Sequence, residues 1–178
     1  AYRAVKRVLP HIQHAGATAV VIGAGGLGQF AVQFLKKLAN VDVTVLDLAD
    51  DKLDAARKLG ADHAVKQLPE GVRYDAIIDF VGATPTLAVA GRHVDRQGII
   101  AVVGLAGGRL EFGVGVIPSE AIITSSIWGG LDELRELLDF VRAEGIDHLV
   151  ETMPLESAQE ALDRLRRGDV RGRVVLTV

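Results

Sequence analysis

Apolar residues along this chain alternate between two spacings, a period of two and a helical period of three to four. The run Ala19–Ile22 is continuous, ends in glycines and predicts a buried strand. After it, apolar residues at i, i+3, i+4, i+7, i+8 and i+11 predict the buried face of a helix. These residues are Leu27, Phe30, Ala31, Phe34, Leu35 and Leu38. Further strands are predicted at Val41–Asp47, Ala64–Val65, Ala76–Phe80, Ile99–Val103 and Ile122–Ile127.

Helices are predicted between most of these strands. Asp50 and Gly60 mark the two ends of one helix, and Thr84-Pro85 and Gly91 mark the ends of the next. The other predicted elements are an amino-terminal helix with Tyr2, Val5 and Val8, a helix from Leu131 to Gly145, a helix over Leu155–Arg167 and a closing strand over Arg173–Val178. Alternating strands and helices predict an α/β fold, a doubly wound parallel sheet of six strands with helices on both faces.

Two stretches depart from this alternation. Leu110, Phe112 and Val114 alternate with polar or small residues and predict an extra strand at the edge of the sheet. Only eight residues, Lys66–Arg73, join the third strand to the fourth, fewer than the ~10–12 that a crossover with a helix requires. We therefore expect a link without a helix and a thinly covered sheet face beneath it.

Composition narrows the functional classes. The 178 residues carry 20 Lys and Arg against 23 Asp and Glu, and a formal charge of −3 argues against nucleic-acid and polybasic membrane partners. No apolar run approaches the roughly 20 residues that cross a bilayer. With no cysteine, the chain has no disulfide or thiolate zinc site, and we expect it in the cytoplasm. Because it starts at Ala1, already in a helical pattern, we expect a piece of a longer protein.

Candidate chemistry begins with the motif G-x-G-x-x-G formed by Gly23–Gly28. A predicted strand precedes the motif and a predicted amphipathic helix follows it, which is the context of a dinucleotide-binding turn. Gly23 allows the tight turn, Gly25 lets a diphosphate approach the backbone, and Gly28 lets the helix lie close to the strand. Free N–H groups and the helix dipole favour bound phosphates at this position.

An acidic residue follows at the distance that this fingerprint requires. Asp47 lies 19 residues after Gly28, at the end of the second predicted strand. Its carboxylate would accept hydrogen bonds from the adenosine ribose and repel a 2′-phosphate, which favours NAD over NADP. Two alternatives stay open: an ordinary strand-to-helix turn with a solvated acid, and a methyltransferase, which often has an acid where this chain has Val21-Ile22.

Further stretches of the chain follow a known pattern. They are Phe30–Leu38, Val45–Asp47 through Lys52, Ala56–Asp62, Asp79–Gly82, Val102–Leu105, Ile127–Gly130 and Arg171–Leu176. With the glycine motif, they make nearly the whole chain resemble the cofactor-binding domain of zinc-dependent medium-chain alcohol dehydrogenases. The resemblance is greatest to bacterial and archaeal NAD-dependent members, and it implies a Rossmann fold that binds NAD(H).

The resemblance also implies roles for individual residues. Lys52 would reach the adenosine ribose beside Asp47, Arg173 would pair with the diphosphate, and the turn at Val81-Gly82 would line the cofactor cleft. Backbone groups of Val103, Ser126 and Trp128 would hold the nicotinamide carboxamide. Each has an ordinary structural alternative, such as a core or interface aromatic for Trp128 and a solvated basic cluster for Arg173. The residues predicted to bind NAD are Gly23, Gly25, Gly26, Leu27, Gly28, Asp47, Leu48, Lys52, Val81, Gly82, Val103, Gly104, Leu105, Ser126, Trp128 and Arg173.

In the resembled family the catalytic zinc, its Cys and His ligands and the proton relay lie in a separate domain N-terminal to this one, and this sequence lacks that domain. We therefore predict no catalytic or metal-binding residue in this chain. Its histidines offer no zinc site: they are His11, His14, His63, His93 and His148. The predicted division is an NAD-binding domain over residues 1–152, and a helix and strand over 153–178 that return to the catalytic domain.

These observations favour the NAD(H)-binding domain of an alcohol dehydrogenase. The parent enzyme would transfer hydride between a small alcohol or aldehyde and NAD, whereas this chain alone would bind NAD without catalysis. We expect a homodimer through Leu110–Ile117, where members of the family pair their cofactor domains. Two further alternatives stay open: a stand-alone NAD-binding or redox-sensing module, and a zinc-independent quinone reductase, a type that usually prefers NADPH and against which Asp47 counts.

Overall fold

A parallel six-stranded sheet forms the centre of the molecule, in a computed structural model that describes all 178 residues. Its strands are β1 (Thr18–Ile22), β2 (Asp42–Leu46), β3 (His63–Val65), β4 (Tyr74–Asp79), β5 (Val94–Val102) and β6 (Ile122–Ser125). They lie in the order β3-β2-β1-β4-β5-β6, and every neighbouring pair is parallel. This order confirms the predicted doubly wound α/β fold.

Six α-helices surround the sheet or follow it. They are α1 (Tyr2–Val8), α2 (Gly28–Ala39), α3 (Asp50–Lys58), α4 (Thr84–His93), α5 (Leu131–Glu144) and α6 (Ala158–Arg167). A 3₁₀ turn at Leu9–His11 continues α1, and another at Leu155–Ser157 precedes α6. A second parallel sheet consists of β7 (Val150–Pro154) and β8 (Arg173–Thr177), with α6 between them along the chain. No helix is both long and apolar enough to cross a membrane.

Both faces of the sheet are buried along its central strands β1, β2 and β4, as a parallel sheet between helices requires. Along β1 the side chains alternate, so that Ala19 and Val21 belong to one apolar cluster and Val20 and Ile22 to the other. The larger cluster contains 24 buried residues and includes side chains of α1, α2 and α3. A fully buried valine or leucine contributes about 1.5–3 kcal/mol, so burial on both faces holds the central strand ends in place.

The link Lys66–Arg73 between β3 and β4 contains no helix, as predicted. Leu68 in this link is only 3% exposed and packs into the smaller apolar cluster, which also contains Leu46 and Tyr74. That cluster has 10 buried residues against 24 on the opposite face. Leu68 therefore helps to cover the sheet face beneath the link where no helix is present, and the buried Val20 and Ile77 show that this face is not open to solvent.

The predicted edge strand over Leu110–Val114 is wrong. The segment contains only an isolated bridge between Val114 and Ile117, and no strand. Gly115 explains the difference, because it directly follows this segment with a φ of +82° and turns the chain so that Val114 meets Ile117. An alternating apolar pattern therefore occurs here in a loop.

The helix boundaries at α4 also differ from the prediction. Gly91 does not end α4, which continues to His93. A β-carbon at Gly91 would lie 2.8 Å from Ile117 Cδ1 and 3.2 Å from Leu110 Cδ1, so the glycine lets a distant loop pack on the helix. The N-cap is Ala83 and not Thr84, and the Thr86 hydroxyl accepts the Ala83 amide at 3.0 Å.

Several strands begin or end elsewhere than predicted. β5 begins at Val94, earlier than Ile99, and its pairing with β4 shifts register between Tyr74 and Ala76. β6 ends at Ser125, before the predicted Ile127. β7 was not predicted, although it is the only partner of the closing strand β8. The division of the chain at residue 152 stays a prediction, and that position falls within β7.

Candidate cofactor-binding site

The candidate site lies where the strand order reverses, between β1 and its neighbour β4. In a doubly wound sheet, the loops after these two strands diverge to opposite faces and leave a crevice at the carboxyl edge. The glycine turn follows β1, and the turn at Val81-Gly82 follows β4. The sheet topology therefore brings two separately predicted parts of the site to the same crevice.

The three motif glycines have different environments. Gly23 has a φ of +90°, and its amide donates a hydrogen bond to the Leu46 carbonyl at 2.9 Å. A β-carbon at Gly28 would collide with the Gly23 carbonyl oxygen, so this glycine is required for the helix to approach the strand. A β-carbon at Gly25 would meet nothing within 4 Å. Glycine at position 25 is thus not required by the packing of the protein, and it leaves open space in front of the turn.

Four consecutive amides at the start of α2 have no acceptor within the chain. They belong to Gly25, Gly26, Leu27 and Gly28, and the first amide of this region to be bonded is that of Gln29, to the Gly25 carbonyl at 3.2 Å. α2 has 12 residues, so its dipole places partial positive charge at the same point. Converging free N–H groups at a helix start suit a phosphate or diphosphate.

The Asp47 carboxylate lies beside this turn. Its Oδ2 atom accepts the amide of Ala24 at 2.8 Å, and its Oδ1 atom accepts the amide of Ala49 at 3.0 Å. An ionised carboxylate has about four acceptor positions, so two bonds leave capacity for ribose hydroxyls. Leu48 is 83% exposed, and the Lys52 side chain forms no hydrogen bond or ion pair within the chain.

On the other side of the crevice, Asp79 organises the loops after β4 and β5. The carboxylate is fully buried, and its Oδ1 atom accepts the amides of Val81 at 2.8 Å and Gly82 at 2.9 Å. Its Oδ2 atom accepts the Thr86 hydroxyl at 2.7 Å. The Asp79 carbonyl accepts the amide of Val103 at 2.8 Å. Sequence reasoning did not assign this role, although an acid within the apolar run Ile77–Phe80 is a detectable signal.

Close backbone packing joins these two loops. Gly82 has a φ of +68°, and a β-carbon on it would collide with the Gly104 carbonyl. A β-carbon on Gly104 would collide in turn with the Val81 backbone. Val81 remains 37% exposed at this position, and Leu105 is 82% exposed. The wall of the crevice is therefore made of tightly packed backbone with two apolar side chains free to meet a ligand.

The three residues predicted to hold a carboxamide present unused backbone groups. The carbonyl oxygens of Val103 and Ser126 accept no hydrogen bond within the chain, and the amide of Trp128 donates none. Ser126 is buried and its own amide bonds to the Val102 carbonyl at 2.9 Å, which places it at the end of β6. Trp128 has a φ of +59° and its side chain is 90% exposed, so it is not a core aromatic.

Arg173, far away in sequence, lies against the glycine turn. A β-carbon at Gly26 would lie 2.8 Å from Arg173 Cδ and 3.1 Å from Arg173 Nη1. The guanidinium forms no hydrogen bond or ion pair within the chain, whereas its neighbours Arg164, Arg167 and Arg171 all pair with acids. Arg173 is thus distinguished from the surrounding basic cluster, and it adds an unpaired cation beside the four free amides.

An apolar groove of about 600 Å³ adjoins Arg173. It is lined mainly by the small sheet and α6, and its lining also includes Phe30 of α2. Exposed leucines on α6, Leu162 and Leu165, contribute to the same surface. Ten of its 12 lining residues are hydrophobic, and Arg173 is the one charged side chain that it shares with the candidate cofactor site.

Metal-ligand chemistry has no counterpart in the structure. No three His, Cys, Asp or Glu side chains are grouped so that they could hold a metal ion. Two histidines instead approach single acids: His14 lies 3.4 Å from Asp75, and His63 lies 3.5 Å from Asp42. The crevice therefore presents free amides and a carboxylate, and whether it has a catalytic group of its own stays a prediction.

The fold and this edge geometry define a doubly wound α/β domain of the Rossmann type. Residues 26–143 match the model of the family described as zinc-binding dehydrogenase. The chain belongs to this family, and the resemblance drawn from its sequence is confirmed.

Individual relatives agree with this assignment. The chain is 31% identical over 173 residues to the NAD-dependent alcohol dehydrogenase of Sulfurisphaera tokodaii, covering 89% of this chain and 50% of that protein. The crystal structure of the alcohol dehydrogenase from Aeropyrum pernix superposes with a TM-score of 0.92 at 34% identity, over 99% of this chain and 54% of the other. Acetophenone reductase from Geotrichum candidum, in complex with NAD, gives a TM-score of 0.88 at 30% identity, over 99% and 52%. The chain spans about half the length of the curated relatives it matches.

Proposed function

We propose that this chain binds NAD(H) as the cofactor-binding part of an NAD-dependent alcohol dehydrogenase. The observation that carries the proposal is the group of four unpaired amides at the start of α2, beside the Asp47 carboxylate. A diphosphate satisfies the amides and a ribose diol satisfies the carboxylate, and NAD contains both. The relative from Sulfurisphaera tokodaii is an NAD-dependent alcohol dehydrogenase, which supports the same cofactor and reaction.

The residues divide among the parts of the cofactor. Gly23 shapes the turn, whose free amides and the Arg173 guanidinium would hold the diphosphate. Asp47, Leu48 and Lys52 would contact the adenosine ribose. The nicotinamide end would rest on the loops after β4, β5 and β6, where the free carbonyls of Val103 and Ser126 suit an amide NH₂ and the free amide of Trp128 suits its oxygen. The remaining members of this wall are Val81, Gly82, Gly104 and Leu105.

The chemistry of the bound cofactor is acceptance and donation of a hydride. This chain would orient the cofactor and shield one of its faces, and Asp79 would keep the nicotinamide wall rigid through its bonds to Val81 and Gly82. In the whole enzyme, a zinc ion in a catalytic domain outside these residues would polarise the oxygen of a small alcohol or aldehyde. The description of the matched family as zinc-binding dehydrogenase supports the presence of zinc in the whole enzyme.

A Gly25→Val variant tests the proposal. Its side chain would enter open space without strain on the protein, because a β-carbon at Gly25 meets no atom within 4 Å and φ there is not positive. The same substitution at Gly130, which is also open, is the matched control. We expect calorimetry to show NAD binding by the wild type and Gly130→Val, and none by Gly25→Val at equal thermal stability. Equal binding by all three proteins contradicts the proposal.

We also propose a homodimer formed by the segment Leu110–Ile117 and by β6. Within the segment Phe112 is 75% exposed and Val114 is fully exposed, and β6 is an edge strand with free backbone groups. Exposed edges and apolar loops of this kind are usually paired or covered in soluble proteins. Because Gly91 lets this loop pack on α4, the apolar surface is presented on a well-anchored base.

A further inference from the structure

Two glutamines on α2 are buried although they lie in a helix packed on an apolar core. Gln29 is 3% exposed and Gln33 is 5% exposed. They are four residues apart, so their side chains lie on the same face of the helix. Buried amides require hydrogen-bond partners, and each of these two finds one on the segment between α5 and β7. The other partners are backbone carbonyls nearby in the chain: Gly26 for Gln29, and Gln29 itself for Gln33 at 3.1 Å.

Each glutamine holds a different point of that segment. The Gln33 side chain forms two bonds with Asp147: its Nε2 donates to the carbonyl at 2.8 Å, and its Oε1 accepts the amide at 2.8 Å. Gln29 Oε1 accepts the amide of Leu149 at 3.1 Å, and its Nε2 donates to the Gly26 carbonyl at 3.4 Å. Gln29 therefore connects Leu149 directly to the glycine turn, which Gln33 does not contact.

Leu149 is in turn the anchor of Arg173. The Leu149 carbonyl accepts the Arg173 amide at 2.9 Å. Gly172 has a φ of +75°, and a β-carbon on it would collide with the Leu149 carbonyl, so the two backbones are in close contact. The carbonyl oxygen of Gly172 itself would lie 2.8 Å from a β-carbon at Gly26. The start of β8 is thus packed between Leu149 and the turn.

From these contacts we infer that Gln29 is a positioning residue that holds the Arg173 guanidinium over the diphosphate-binding turn. The Arg173 side chain has no partner of its own in the chain, so its backbone decides where the guanidinium can reach. That backbone is bonded to Leu149, and Leu149 is bonded to Gln29. The inference rests on the proposed function, because it assigns the purpose of the arrangement to a dinucleotide diphosphate, which guanidinium binds with geometric preference.

A double-mutant cycle on the 178-residue chain separates this role from simple stability. Methionine replaces glutamine with an unbranched side chain of similar length and no amide, in Gln29→Met and, as the matched control, Gln33→Met. NAD affinity is measured by calorimetry for the wild type, both single variants, Arg173→Ala, and each glutamine variant combined with Arg173→Ala. We expect Gln29→Met to lower the affinity for NAD about tenfold, and Gln33→Met to lower it less than about twofold. In the Arg173→Ala background the effect of Gln29→Met should disappear.

Amide hydrogen exchange provides a readout independent of the ligand. Gln29→Met should speed exchange at Leu149 and Arg173, while Gln33→Met should speed it at Asp147. Should Gln29→Met not fold, Gln29→Asn replaces it, since its shorter side chain keeps the amide but no longer reaches Leu149. Equal effects of Gln29 and Gln33 variants on NAD, or an undiminished Gln29 effect without Arg173, overturn the inference. Failure of the wild type to bind NAD instead overturns the proposed function, so the two failures are distinct.

Discussion

Asp47 Oδ2 accepts a hydrogen bond at 2.8 Å from the amide of Ala24, which lies 23 residues earlier in the chain. The other carboxylate oxygen accepts the amide of Ala49. One side chain thereby joins the turn after β1 to the turn after β2. Its orientation is fixed by the protein itself, so a ligand that needs an acceptor at this point finds it already in place.

We expect Asp47→Ser to lower the affinity for NAD by about tenfold or more and to raise the affinity for NADP. The substitution removes a charged acceptor and also the repulsion of a 2′-phosphate. Calorimetric titration with both cofactors measures the change. Asp54→Ser is the control. Asp54 pairs with Arg57 on the exposed face of α3, so this substitution removes the same charge at a position away from the turn. Unchanged cofactor preference in Asp47→Ser would show that the ribose assignment is wrong.

Asp79→Ala should lower the free energy of unfolding by about 3 kcal/mol or more, because it leaves the amides of Val81 and Gly82 without their acceptor. Asp79→Asn should cost about 1–2 kcal/mol. Its carbonyl can accept both amides, and its NH₂ can donate to the Thr86 hydroxyl, which then donates to the Ala83 carbonyl at 2.9 Å. Urea unfolding measures both values, and equal losses in the two variants would contradict this account of the buried carboxylate.

Val114→Lys should convert a dimer to a monomer at tens of micromolar protein, roughly the range where weak associations persist. Val114 is fully exposed, so a charged side chain there disturbs an interface without disturbing the fold. Sedimentation equilibrium measures the mass. Leu165→Lys, which changes another exposed apolar residue on α6, should leave the dimer intact. A monomeric wild type, or equal effects of both variants, would argue against this interface.

Alkaline pH should destabilise the protein through Tyr2. Burial first, and then the 2.8 Å hydrogen bond from its hydroxyl to Glu136, raise the pKa of Tyr2 to about 12. A raised pKa favours the neutral form in the folded state, so this stabilisation is complete below pH 10 and is lost as pH rises towards 12. Urea midpoints between these pH values should fall less steeply for Tyr2→Phe than for the wild type.

The contribution of Tyr74 to the pH dependence must be measured separately, because burial raises the pKa of Tyr74 as well. It is the only other tyrosine of the chain, so Tyr74→Phe completes the comparison. Parallel pH profiles for the wild type and Tyr2→Phe would show that the Tyr2–Glu136 contact does not contribute.

The purified 178-residue chain should bind NAD, retain no stoichiometric zinc and oxidise no alcohol. Zinc needs three or four well-placed ligands, and no such group of side chains occurs here. Assays of primary and secondary alcohols with NAD and added zinc, together with metal analysis, check this expectation. Turnover by the wild type that Gly25→Val abolishes would show that catalysis needs no further domain.

Much of this fold can be predicted from the spacing of apolar residues along the chain. Apolar runs and alternation predicted all six strands of the large sheet, with the start of β5 and the end of β6 misplaced, and helical spacing after Gly28 predicted α2. Local burial imposes those periods on neighbouring residues. The glycine motif and Asp47 were equally accessible, since the turn and the strand end that need them lie within 30 residues of chain. The pattern failed at Leu110–Val114, where apolar alternation serves an exposed loop.

The contacts that local patterns did not predict are made between segments far apart in the chain. Gln29 bonds to Leu149, 120 residues away, and Gln33 bonds to Asp147, 114 residues away. The sequence around either glutamine therefore does not predict its partner. Gly91 is explained by the distant side chains of Ile117 and Leu110 that pack against it, and Arg173 differs from its basic neighbours in lying unpaired against Gly26. Periodicity reports which side of an element is buried, whereas hydrogen-bond partners and close contacts between elements depend on the three-dimensional packing that buries them.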